Sequence, residues 1–199
     1  MPKRYDRAYF DRWYRDPATR VKSAGDLGRK ARLAVSAAEY LLGRRVRRAL
    51  DVGSGEGQWR AALRRVRPAI DYVGVDASAY VVRRYGARRG LVRGTVGTLH
   101  ALDLGGPFDL VVCCDVLHYV SDDELARGVP ALASLTGGVA YVELFTTDDD
   151  FEGDRAGWRG RPASYYRRLF RRAGLTPCGM NCYAGPTLRD EASALERVG

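Results

Sequence analysis

The sequence contains few lysines, histidines and cysteines, and it has no apolar stretch of bilayer-spanning length. A membrane-spanning helix needs about 20 consecutive apolar residues, and no run in the chain approaches that length, which argues against an integral membrane protein. The charged N-terminus is not followed by an apolar segment, so we expect no secretory signal and a cytoplasmic protein. The 4 cysteines lack the spacing of zinc or redox motifs, which predicts buried thiols and no metal site; they are Cys113, Cys114, Cys178 and Cys182.

Lysine is so scarce that Lys3, Lys22 and Lys30 are the only lysines among 33 basic Lys and Arg residues. The formal net charge is nevertheless +9, which raises the possibility of a nucleic-acid partner. The arginines occur mostly in pairs on predicted helices, as solvated helix faces would place them. We therefore favour a solvated surface over a nucleic-acid surface.

The length and composition are those of a globular protein with one domain. The chain has 199 residues, of which 46% are hydrophobic and 29% charged. Predicted helices at 3–16 and 26–43 come first, and strands then alternate with helices. The predicted strands are 48–52, 72–76, 91–96, 108–114, 138–144 and 176–183. Helices are predicted between them at 58–67, 78–86 and 162–172. A further helix begins with the capping-box pair Ser121 and Glu124, and Pro130 should kink or split it.

Repeated strand–helix alternation predicts an α/β fold with a doubly wound, mostly parallel sheet. Residues 1–45 are predicted to form an N-terminal helical cap, and residues 46–199 the core.

A glycine-rich turn joins the first predicted strand to the helix that follows it. Gly53, Gly55 and Gly57 give the spacing G-x-G-x-G, which suits a tight turn that a ligand approaches closely. A dinucleotide fingerprint would need a further glycine where the chain has Gln58. No Lys-Ser/Thr pair follows the turn, which excludes a P-loop.

Acidic residues accumulate where the predicted strands end. Asp51 precedes the glycine turn, Glu56 lies within it, Asp76 ends the second strand and Asp115 follows the fourth. Open α/β sheets bind ligands at the carboxyl ends of their strands. Carboxylates there favour a cationic ligand over a pyrophosphate, and the two oxygens of Asp76 match a vicinal diol such as that of a ribose.

Three segments in this order, 51–57, 74–78 and 108–120, resemble the class I S-adenosylmethionine-dependent methyltransferases. The resemblance covers about residues 46–183 and implies a Rossmann-like sheet that binds S-adenosylmethionine and releases S-adenosylhomocysteine. By position it implies that the cofactor is bound by Asp51, Gly53, Ser54, Gly55, Asp76, Ala77, Thr95, Val96, Asp115 and Val116. Thr95 departs from the pattern, since the family often has Asp there to contact the adenine amino group.

The residues that contact the methyl acceptor are less clearly marked. His118, three residues after Asp115, is a candidate general base near the transferred methyl group, or it shapes the cofactor pocket. We expect the acceptor pocket to be closed by the N-terminal helix and the 145–160 loop, and to be lined by Phe10, Tyr14, Phe145 and Trp158. The aromatic residues between positions 5 and 14 also suggest that residues 1–20 form a lid over the cofactor site.

Three functions are compatible with these motifs. The first is a methyltransferase that acts on a small molecule, as a monomer or a homodimer and without a membrane partner. The second is a nucleic-acid (RNA) methyltransferase, which only the net charge favours. The third is a non-catalytic module that binds S-adenosylmethionine. The Asn/Asp-Pro-Pro-Tyr/Phe signature of amino-methylating nucleic-acid enzymes is absent, because Asp115-Val116-Leu117-His118 stands in its place.

Overall fold

The computed structural model describes residues 5–19, 24–150 and 154–192. The parts of the predicted segments at 1–4, 20–23, 151–153 and 193–199 lie outside the described residues. The strands are β1 (Arg48–Val52), β2 (Asp71–Asp76), β3 (Leu91–Arg93), β4 (Phe108–Cys114), β5 (Thr136–Glu143), β6 (Thr176–Pro177) and β7 (Cys182–Ala184). The helices are α1 (Arg7–Phe10), α2 (Ala24–Leu42), α3 (Gln58–Val66), α4 (Ala79–Arg89), α5 (Asp122–Leu135) and α6 (Ala163–Arg172).

The seven strands form one sheet in the order β3-β2-β1-β4-β5-β7-β6. The first five are parallel to one another, and β7 and β6 add an antiparallel edge. The predicted doubly wound, mostly parallel sheet is thus confirmed. The strand order reverses between β1 and β4, and sheets of this kind bind ligands in the crevice at that point.

Helices cover both faces of the sheet and bury two apolar clusters. On one face α2, α3 and α4 pack against the sheet, and Leu63, Leu110 and Val139 lie in that cluster. On the other face α5 and α6 enclose a second cluster around Leu50 and Phe108. The part of the predicted cap that forms α2 therefore packs on the sheet itself, through Leu27, Ala31, Ala34, Val35 and Ala38.

Three elements differ locally from the predictions. Strand β3 ends at Arg93, because Thr95 caps a 3₁₀ helix over Val96–Ala101. Helix α5 begins with the predicted capping box, but it runs unbroken through Pro130. The single strand predicted at 176–183 is a hairpin of β6 and β7, since three of the four residues that join them, Gly179, Met180 and Asn181, have positive φ.

The predicted helix at 3–16 consists of two pieces. Asp6 caps α1 by accepting a hydrogen bond of 3.1 Å from the Tyr9 N–H. A π-helical turn over Asp11–Arg15 follows directly. A π turn rotates the side chains after it relative to a regular α-helix, so the spacing of aromatic residues alone did not predict where Tyr14 points.

No helix among the described residues combines the length and the apolar character that crossing a membrane requires. Cys113, Cys114 and Cys182 are buried, as predicted, whereas Cys178 is half-buried.

Candidate cofactor and acceptor site

The glycine-rich turn between β1 and α3 has a left-handed backbone at each of its three glycines. Gly53, Gly55 and Gly57 have φ angles of 74°, 51° and 77°, in the region that only glycine adopts readily. The N–H groups of Gly53 and Ser54 donate hydrogen bonds of 2.8 and 3.0 Å to the Val75 carbonyl. These bonds fix the turn to the end of β2, where the next functional residue lies.

Asp76 ends β2 and is buried beside the turn. Its Oδ2 accepts a hydrogen bond of 2.8 Å from the Gly55 N–H, and its Oδ1 accepts one of 2.8 Å from the Ser78 N–H. Burial raises the pKa of Asp76 above the ordinary aspartate value, although both backbone donors oppose that shift. The carboxylate is thus held in a fixed orientation at the edge of the sheet where ligands bind.

Two side chains cover the glycine turn closely. A Cβ atom on Gly53 would lie 2.2 Å from Cγ2 of Val116, and one on Gly55 would lie 2.3 Å from the hydroxyl oxygen of Tyr14. The absence of a side chain on Gly55 thus makes room for Tyr14, a residue of the N-terminal segment. Burial raises the pKa of the Tyr14 hydroxyl well above its ordinary value.

A small cavity of about 30 Å³, enough for one water molecule, lies behind the turn. The buried carboxylate of Asp51 borders it and accepts a hydrogen bond of 2.6 Å from the Tyr72 hydroxyl. The indole Nε1 of Trp59 is buried at the same place and has no hydrogen-bond partner among the described residues. This cavity therefore offers both an acceptor and a donor to a small polar group.

The segment after β4 brings Asp115 and His118 to the same edge of the sheet. Asp115 has a φ angle of 57°, which is unusual for a residue other than glycine. His118 is fully buried, and its Nδ1 accepts a hydrogen bond of 3.3 Å from the Phe145 N–H. A neutral imidazole that accepts at Nδ1 carries its proton on Nε2, so this bond favours the tautomer of His118 in which Nε2 is a hydrogen-bond donor.

A cavity of about 920 Å³ opens at this edge. Most of the residues singled out from the sequence line it: Phe10, Tyr14, Gly53, Asp76, Ala77, Thr95, Val96, Asp115, Val116, His118 and Phe145. Asp51 and Ser54 border the small cavity instead, and Gly55 lies beneath Tyr14. Trp158 packs beside Gly160 and does not join the lining.

Several lining residues were not singled out as site residues from the sequence. Tyr5 and Tyr9 line the cavity, although helical spacing was equally compatible with simple packing. Tyr119 lies in the quoted segment after β4, and Asp154 in the loop expected to close the pocket. The Tyr119 hydroxyl donates a hydrogen bond of 2.6 Å to the Asp154 carbonyl, which joins these two parts of the chain.

The N-terminal segment is attached to the cavity by specific contacts. The Tyr5 carbonyl accepts a hydrogen bond of 2.5 Å from the Ser78 hydroxyl. Phe10 stacks on Tyr80 with ring centroids 6.0 Å apart. At the other end, the Arg15 guanidinium forms an ion pair with Glu56 of the glycine turn.

These groups fit the cofactor that the sequence resemblance implies. Asp76 presents a fixed carboxylate to a ribose diol, and Thr95 and Val96 offer a hydroxyl and an apolar wall to an adenine. The Trp59 donor and the Asp51 carboxylate border a cavity with room for one water molecule, so they suit a bridging water more than a ligand group. The lining of the large cavity thus fits the nucleoside part of S-adenosylmethionine.

Comparisons with known proteins agree with this geometry. The family described as "Methyltransferase domain" matches residues 26–178. The fold is similar to that of the plantazolicin methyltransferase BamL, which was solved in complex with a triazolic desmethylPZN analog and SAH. BamL is 14% identical to this chain, and the alignment has a TM-score of 0.60 and covers 76% of this chain and 65% of BamL. The chain thus spans slightly less than two thirds of that protein.

Two further solved structures share the fold. DesVI from Streptomyces venezuelae is 19% identical, with a TM-score of 0.62 over 81% of this chain and 90% of DesVI. The cyclase SpnF is 22% identical, with a TM-score of 0.55 over 92% of this chain and 71% of SpnF. No curated protein sequence matches the chain.

Proposed function

We propose, from the premise that this chain belongs to the methyltransferase domain family, that it transfers a methyl group from S-adenosylmethionine to a small-molecule acceptor. The observation that carries the proposal is the bond from the Gly55 N–H to the Asp76 carboxylate, at the edge of a 920 Å³ cavity. That bond joins the two sequence motifs that the family shares. It also orients the carboxylate for a ribose.

The cavity supports a small-molecule acceptor over a nucleic acid. Its volume is at the upper end of the range typical of ligand pockets, roughly 300–1,000 Å³, which leaves room for an acceptor beside the cofactor. The N-terminal segment covers it with aromatic rings, including those of Tyr9, Phe10 and Trp13. Such a lining suits a compact, partly apolar molecule.

When bound, S-adenosylmethionine would supply a sulfonium methyl group that is already activated for displacement. The residues of this chain would then contribute position and a dry environment. Asp76 and the glycine turn would orient the cofactor, and the aromatic N-terminal segment would exclude water. The Nε2–H of His118 would donate a hydrogen bond within the cavity, because its Nδ1 is engaged with the Phe145 N–H.

A labelling experiment tests this function directly. The purified protein would be incubated with a methyl-radiolabelled donor and with cell extracts, each with and without nuclease treatment. Label in a nuclease-resistant, low-mass product supports the proposal, whereas label that nuclease releases points to a nucleic-acid acceptor.

The fold leaves room for functions other than methyl transfer, as the similarity to the cyclase SpnF illustrates. A protein that binds S-adenosylhomocysteine but transfers no label from any extract would contradict the proposal. The Asp76→Asn variant is the matched negative control, since it removes one negative charge from the expected ribose contact.

A further inference from the structure

The lining of the large cavity is acidic, although the chain as a whole is strongly basic. Among the described residues that line it, Arg83 supplies the one guanidinium, and five residues supply carboxylates: Asp6, Asp76, Asp115, Glu124 and Asp154. The net charge of the chain is +9. The cavity therefore differs in sign from the average surface of the molecule, which points to a ligand of positive charge.

Three of these carboxylates either cap a helix or belong to the expected ribose site. Asp6 caps α1, and Glu124 accepts a hydrogen bond of 2.8 Å from the Ser121 hydroxyl in the capping box of α5. Asp76 is held by two backbone N–H groups and is expected to bind the ribose. Asp115 lies in the segment that the family resemblance puts beside the methionine part of the cofactor. Asp154 lies outside all the motifs assigned to the cofactor.

Asp154 lies half-buried at the wall of the cavity, next to aromatic rings. Its carbonyl accepts the 2.6 Å hydrogen bond from Tyr119, and its Oδ1 accepts one of 3.0 Å from the Ala156 N–H. These two bonds hold both the backbone and the carboxylate in place. Tyr5 and Tyr9 line the same cavity and lie edge to face, with ring centroids 5.1 Å apart.

Nearby carboxylates contribute to raised pKa values of the tyrosine hydroxyls around this wall. Burial, followed by the charges of Asp76, Asp154 and Glu124, raises the pKa of Tyr5 to about 12. Burial also raises the pKa of Tyr119, with Asp154 as the next largest cause. The same carboxylate contributes to the raised pKa of Tyr9. Three tyrosines on different parts of the lining thus lie in the field of Asp154.

We propose that the methyl acceptor carries a positively charged nitrogen, and that this nitrogen binds at the wall formed by Asp154, Tyr119 and Tyr9. A carboxylate forms a charge-assisted hydrogen bond with an ammonium group, and tyrosine ring faces attract cations. The cofactor alone does not account for this wall. The residues expected to bind the cofactor lie elsewhere: at the glycine turn, at the end of β2 and in the 95–96 and 115–116 segments. The inference rests on the proposed function, because it assigns the second ligand of the same site.

Three probes of similar size and different charge test the inference: phenethylamine (cationic), phenethyl alcohol (neutral) and phenylpropionate (anionic). Calorimetry would first measure the binding of S-adenosylhomocysteine alone, and then the binding of each probe to the protein saturated with it, at neutral pH. We expect phenethylamine to bind about tenfold more tightly than the alcohol, and phenylpropionate to bind most weakly. The Asp154→Asn variant should lose the preference for the amine.

Two variants serve as controls. Asp103→Asn removes an exposed carboxylate outside the cavity, and it should keep the preference for the amine. Tyr119→Phe retains the ring and should keep much of the preference for the amine. Tyr119→Leu is a second test variant: it removes the ring and should reduce that preference, so the inference can still be tested if Asp154→Asn fails to fold.

The possible failures are distinguishable. If S-adenosylhomocysteine does not bind, the proposed function itself is wrong. If it binds but phenethylamine fails to bind, or binds no better than the alcohol or the anion, the inference about the acceptor is overturned and the proposed function stands. A preference that survives in both Asp154→Asn and Tyr119→Leu also overturns it.

Discussion

The backbone N–H of Gly55 donates a hydrogen bond of 2.8 Å to Oδ2 of Asp76. The two residues belong to different motifs, one in the turn after β1 and the other at the end of β2. The bond makes them a single unit, since the carboxylate that is expected to bind the ribose also holds the turn. A substitution at Asp76 therefore affects both the ligand contact and the shape of the glycine turn.

We expect Asp76→Asn to weaken the binding of S-adenosylhomocysteine by one to two decades in Kd. Loss of a charge-assisted contact costs roughly 1.5–3 kcal/mol, and the asparagine oxygen can still accept from one backbone N–H and so preserve the fold. Calorimetric titration measures the Kd. The matched control is Asp71→Asn at the start of the same strand, whose carboxylate is largely exposed and pairs with Arg48. Equal Kd values for the two variants would mean that Asp76 does not bind the ligand.

Gly55→Ala should impair ligand binding far more than Gly43→Ala. Both glycines have positive φ, at 51° and 62°, so both variants pay a similar backbone penalty of about 1–2 kcal/mol. Only at Gly55 does the added Cβ meet another side chain, the Tyr14 hydroxyl, whereas nothing lies within 4 Å at Gly43. We expect at least about a tenfold higher Kd for Gly55→Ala alone. Similar Kd values for both variants would show that the turn does not face the ligand.

The sequence predicted the parallel strands and the glycine turn well, because hydrophobic runs and glycine spacing are local signals. Strand bounds shifted by only a few residues, as in β5, which begins at Thr136 and not at Gly138. The contact between Tyr14 and Gly55 could not be predicted, since it depends on the π turn that reorients Tyr14 and on packing between distant segments. Trp158 shows the same limit, because an aromatic residue in a loop gives no indication of the direction in which it packs.

The ion pair of Glu39 and Arg67 should make stability sensitive to acid. Hydrogen bonds from Arg67 lower the pKa of Glu39 below its ordinary value of 4.5, although burial opposes this. Because the folded-state pKa is depressed, the contribution is present above pH 4.5 and is lost as the pH falls through the lower, folded-state value. Glu39→Gln should therefore lower the free energy of unfolding by on the order of 1 kcal/mol at neutral pH and leave it unchanged in strong acid. Urea unfolding at several pH values measures this, and a difference that grows toward acid would contradict it.

His118→Gln should retain methyl transfer within about tenfold of the original rate. A glutamine oxygen can accept the hydrogen bond from the Phe145 N–H, as Nδ1 does. Loss of a general base would instead cost roughly a hundredfold or more. His118→Leu removes this acceptor from the half-buried Phe145 N–H and should lower the free energy of unfolding by about 1 kcal/mol. Label transfer and urea unfolding measure the two effects, and a hundredfold loss in His118→Gln would favour the general-base interpretation.

The N-terminal segment should behave as a lid whose amides become protected when ligand binds. Of the predicted lid at 1–20, residues 5–19 are described, and Tyr5, Tyr9 and Tyr14 line the cavity. Phe10 anchors the described part of the segment in the core, whereas its polar ties to the rim of the cavity include the Ser78 bond to the Tyr5 carbonyl and the Arg15 pair with Glu56. A ligand that contacts the aromatic rings should add to these ties and slow the opening of the segment. Hydrogen exchange over residues 5–15 should be fast in the free protein and slow with S-adenosylhomocysteine bound. Arg15→Gln should speed exchange further in the free protein, because it releases the segment from the glycine turn. Slow exchange in both states would show instead that the segment is permanently packed on the sheet and that the buried Phe10 holds it there.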